Sequence, residues 1–136
     1  MDNETEIETI DECLETFNEC FKTFTEMMSQ ACPDSIISNY KKEIIGLINN
    51  SPTKIIEIFI IYVLPHKAEI DSGKDEYFLD DSFKEKSGID NGYIGKIFEF
   101  RDIWKSLTDN NKEVVRVMIQ GLSNLAQQYF SFKYSL

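Results

Sequence analysis

The sequence predicts an all-α fold, a single bundle of about five helices around a central apolar helix, with a long acidic connector. Three observations predict it. Apolar residues recur at spacings of three and four in the first and last stretches of the chain, the period of a helix with one buried face. Proline and short polar residues stand where such helices would start and stop. Only one run, Ile55 to Leu64, has the β-branched content of a strand, and a lone strand leaves its backbone groups unpaired. A chain of 136 residues matches one domain, taken as 1–136, and needs no metal or disulfide staple to close its core.

The first helix is expected over about 4–31. Ile7, Ile10, Leu14, Phe17, Phe21, Phe24, Met28 and Ala31 form an a/d seam. Cys13, Cys20 and Met27 sit one position before seam residues and widen the stripe toward a bundle face. Acidic side chains in the first turns suit the positive end of the helix, and Pro33 stops it. A seam this long can be satisfied within one chain, or it can offer Phe17, Phe21 and Phe24 as a self-association face.

A second helix, about 35–49, takes Asp34 or Ser35 as its cap and places Ile37, Tyr40, Ile44, Leu47 and Ile48 inward. Ser51-Pro52 then reads as the start of a third, about 52–64, since proline fits the first helical position. Its run from Ile55 to Leu64 is apolar almost all round, which makes it the central helix. From 65 to 92 turn residues recur, as in Asp71-Ser72-Gly73, Asp80-Asp81-Ser82 and Asp90-Asn91-Gly92. A connector of that length is often functional, and Tyr77, Phe78, Asp80 and Asp81 are its candidate partner-binding residues.

Two more helices are expected. One covers about 93–107, with Ile94, Ile97, Phe100 (or Phe98), Trp104 and Leu107 inward. The other, about 109–130, is capped by Thr108-Asp109 and packs through Val115, Met118, Leu122, Leu125 and Tyr129. Gly121 inside that pattern suggests close helix packing at some cost in propensity. The tail from Phe130 to Leu136 either docks on the body or lies free.

Composition narrows the function classes. With 24 acidic and 14 basic residues the net charge is −10, which repels a nucleic-acid backbone unless a local basic patch outweighs it. Residues 1–32 carry nine acids and one Lys, whereas residues 93–136 carry six basic and four acidic residues. Lys96, Arg101, Lys105, Lys112 and Arg116 are the candidate basic face. Glu99, Asp102, Asp109 and Glu113 are interleaved with them, the pattern of ordinary surface ion pairing, so nucleic-acid binding is disfavoured. An acidic surface suits a basic protein partner instead.

Catalytic and metal chemistry have little to work with. There is one histidine, His66, expected in a surface or capping role at a helix end. Cys13 and Cys20 lie on the apolar seam and read as small core residues, leaving Cys32, beside Pro33, as the thiol expected to be exposed. The cysteines lack zinc-ligand spacing. Asp71-Ser72-Gly73-Lys74-Asp75 lacks the third-position oxygen of a calcium loop, and Ser82 stands at its twelfth position. Glycines occur singly, with no phosphate cradle, so no cofactor is expected. The acidic start, the odd number of thiols and the lack of an apolar run of ~18–20 residues point to an intracellular protein without a membrane span.

The segment Phe98-Glu99-Phe100-Arg101-Asp102-Ile103-Trp104-Lys105-Ser106-Leu107-Thr108-Asp109-Asn110-Asn111-Lys112 resembles an element of small helical proteins from giant double-stranded DNA viruses of protists. In that element a Trp–x–x–Leu helix end meets a polar cap, a Lys and a further apolar helix. The resemblance implies a viral origin and a small helical domain, with no site residues to carry over. The expected function is a non-enzymatic interaction or structural protein, as a virion component or host-interaction factor, with a homodimer among its possible states. The competing expectations are a transcription or DNA-packaging accessory using the basic face, and a small-molecule or enzymatic site centred on His66.

Overall fold

A computed structural model describes residues 7–73 and 101–134, and every described element is helical. The first helix, α1 (Ile10–Ala31), begins at a capping box. Thr9 Oγ1 accepts the Glu12 N–H at 3.1 Å, and the Glu12 carboxylate accepts the Thr9 N–H at 3.0 Å. This reciprocal cap starts the helix six residues after the expected Glu4, because acids in a row favour a helix start without fixing where it falls. Pro33 follows the C-terminal end as expected, with the Cys32 N–H closing on the Met28 carbonyl at 2.8 Å.

The expected second helix is two. Ser35 caps α2 (Ile36–Asn39) through its hydroxyl, and α3 (Lys41–Asn50) follows after a break at Tyr40, whose φ and ψ of −109° and 20° leave the helical range. The buried residues of the pair, Ile37, Ile44 and Ile48, keep the predicted face. The Ser51-Pro52 start is corrected as well. Ser51 closes α3 by donating its N–H to the Leu47 carbonyl at 2.7 Å, Pro52 and Thr53 turn the chain, and α4 spans Lys54–Tyr62.

Pro65 does not open a connector. It sits in a 3₁₀ turn, Leu64–His66, that leads directly into α5 (Lys67–Asp71). Gly73 ends this segment at φ 77°, a left-handed value that glycine adopts without strain. The next described helices are α6 (Arg101–Ser106) and α7 (Asp109–Tyr134). Thr108 caps α7 by accepting the Asn111 N–H at 3.1 Å. The aromatic tail continues α7 four residues beyond the expected 130 and is tied to the body by Lys133, whose Nζ lies 3.3 Å from the Glu57 carboxylate of α4. The expected elements over 74–92 and 93–100 lie outside the described residues.

The antiparallel partner of α1 is α7, which makes its most extensive packing with α1 and further contacts with α4 and α5. The buried row of α7 is Val115, Ile119, Leu122, Ala126 and Tyr129, with Met118 and Leu125 at its edge, a small rotation from the predicted seam. Phe17 of α1 meets Phe59 of α4 edge to face, with ring centroids 5.3 Å apart, and stacks with Phe21 at 6.0 Å. One apolar cluster runs through the described helices. In α4, Ile55, Ile56, Ile58, Phe59 and Tyr62 are buried, while Ile61 faces outward at 55% exposure.

Candidate interaction surface

Packing decides the fate of the first candidate face. Phe17, Phe21 and Phe24 are 0%, 2% and 1% exposed, because α2, α3, α4 and α7 close over the seam of α1. The proposed self-association face is corrected on this ground, since two copies would have to open their cores to meet through these rings.

The basic face is rearranged rather than displayed. The Arg116 guanidinium lies over the Trp104 ring at 5.3 Å from its centroid, and the Lys112 ammonium lies at 5.8 Å. Arg116 also pairs with Glu113 at 2.9 Å. Lys105 is exposed on α6. Lys96 and the side chain of Arg101 lie outside the described residues, as do Tyr77, Phe78, Asp80 and Asp81.

His66 is buried, not on the surface. Its Nδ1 lies 3.2 Å from the Glu69 carboxylate within the turn that joins α4 to α5. The junction is tied to α7 next door. Lys67 Nζ donates to Asp71 at 2.6 Å and to the Asn124 side-chain oxygen at 2.7 Å, and Gln120 Nε2 donates to the Ile70 carbonyl at 3.0 Å. These bonds set the angle at which α5 meets α7. Sequence gave no sign of them, since a Lys and two amides 50 or more positions apart carry no spacing signal.

The thiols also change places. Cys32 is buried near Ser106 at 3.8 Å, and half-buried Cys20 is the more accessible. Cys13 is sealed in the core and donates its S–H to the Leu125 carbonyl at 3.2 Å. Burial raises the pKa of both Cys13 and Cys20, and the Glu19 charge adds to the shift at Cys20. Among the described residues, no group of three His, Cys, Asp or Glu is placed to hold a metal ion, and no single helix is long and apolar enough to cross a membrane.

The surface that sequence reasoning missed is the outer face of α7. Val117 is 56% exposed and Val114 is 37% exposed, and Gly121, Asn124, Gln128 and Ser131 continue the same row toward the C-terminal end. The spacing of this row alternates three and four, so it forms a second helical face roughly opposite the buried one. Between Arg116 and Lys133 no residue of α7 is charged. Near the far end, Asn124, Gln127, Gln128, Ser131 and Phe132 line an open hollow. The signal was present in the sequence as a charge-free stretch, but a search for the buried seam passes over it.

No family model matches this chain, and no curated protein or solved structure matches it either.

Proposed function

We propose that this chain is a non-enzymatic interaction or structural protein that presents the outer face of α7 to a protein partner. The observation that carries the reading is the exposure of Val117 and Val114 on a helix with no charge between Arg116 and Lys133. A solvated helix face in a chain with 28% charged residues is ordinarily salted with Lys and Glu. Exposed apolar groups in a row, edged by amides, are the usual makings of a contact surface. The helix is also well anchored, through α1, α4 and α5, so it offers a rigid surface to bind.

This proposal includes the wider architecture, a bundle of about five helices gathered around the Ile55–Leu64 segment. It also includes an intracellular setting. The resemblance to giant-virus helical proteins supplies a context for it, a virion component or a factor acting on host machinery. The DNA-accessory reading is not carried further, because two of its cations are drawn onto Trp104 and Arg116 is matched by Glu113.

A photo-crosslinking amino acid at position 117 or 128, compared with one at exposed Lys42 on α3, tests the proposal in the native source. Protein adducts concentrated at 117 and 128 are expected. Equal, diffuse labelling at all three positions would overturn it.

A further inference from the structure

We draw no further inference here: the strongest candidate, the exposed patch around Val114 and Val117 on the outer side of α7, names no occupant, since Glu113 flanks Val114, Lys67 already holds the Asn124 oxygen at 2.7 Å, and nothing in the structure shows what covers this face.

Discussion

Asn18 donates its side-chain N–H to the Pro52 carbonyl at 2.9 Å, and this one bond ties the middle of α1 to the turn between α3 and α4. Asn18 is 8% exposed, and its Oδ1 has no partner among the described residues. The donor side of the amide therefore does the holding, while the acceptor side is a cost. Asn18→Ala removes both. We expect a net loss of about 1 kcal/mol in urea unfolding, the ordinary worth of one such bond. Asn18→Asp should lose more at neutral pH, because it sets a buried carboxylate against a carbonyl oxygen. That excess should shrink as the pH falls and the carboxyl takes up a proton. Equal stability of Asn18→Asp and the parent at pH 7 would show that the bond contributes nothing.

Two neighbours on α4 should behave very differently. Phe59 is fully buried against Phe17, whereas Ile61 is 55% exposed. Phe59→Ala should cost about 3–5 kcal/mol through lost burial and the cavity left behind. Ile61→Ala should stay within roughly 0.5 kcal/mol. Thermal unfolding of the pair checks this. Comparable losses would mean that Ile61 is covered by a contact of its own.

The alkaline side should be the vulnerable one. Burial holds the Cys13 and Cys20 thiols above their usual value of 9.0, so the folded chain keeps those protons longer than the unfolded chain does. Lys133 is likewise raised above 10.5, chiefly by its bond to Glu57. In each case the folded state binds the proton more tightly, so the stabilisation is full below the unfolded pKa and drains away as pH rises past it. Melting temperature should therefore decline from about pH 9 upward, and Cys13→Ala should flatten part of that decline. Alkylation at neutral pH should reach Cys20 before Cys32 or Cys13. A melting temperature that is level to pH 11 would contradict this assignment.

Trp104 reports on its two cations. It is the one tryptophan, 2% exposed, with Arg116 and Lys112 over its ring. Arg116→Ala should cost about 0.5–1 kcal/mol and shift the emission to the red as water reaches the ring. Arg116→Lys should keep part of both, since it retains the charge and loses the flat guanidinium. Unchanged emission in Arg116→Ala would mean that the guanidinium does not cover the indole.

Much of the helical content was legible because it is local. The seam from Phe17 to Met28 declares its helix by spacing, Ser35 and Thr108 declare their caps, and Trp104 and Leu107 mark an apolar face within one turn. The misplacements are local too, where one signal competes with another. Thr9 and Glu12 form a reciprocal cap that outweighs the scattered acids before them. Tyr40 interrupts an unbroken pattern. Pro65, compatible with the first turn of a helix, begins a helical turn rather than ending one.

The sequence by itself determined that this chain is helical, which residues of α1 face inward and where α2 and α7 begin, because periodicity and caps act over a few residues. Tertiary structure alone decided that Phe17, Phe21 and Phe24 are used up in the core, that Lys112 and Arg116 fold onto Trp104, that His66 and Cys32 are enclosed, and that the uncharged side of α7 is left outside. The reason is physical. A helical pattern states which faces are apolar, but which of them meets another helix and which meets water depends on how far apart in the chain their partners lie, and no local spacing records that.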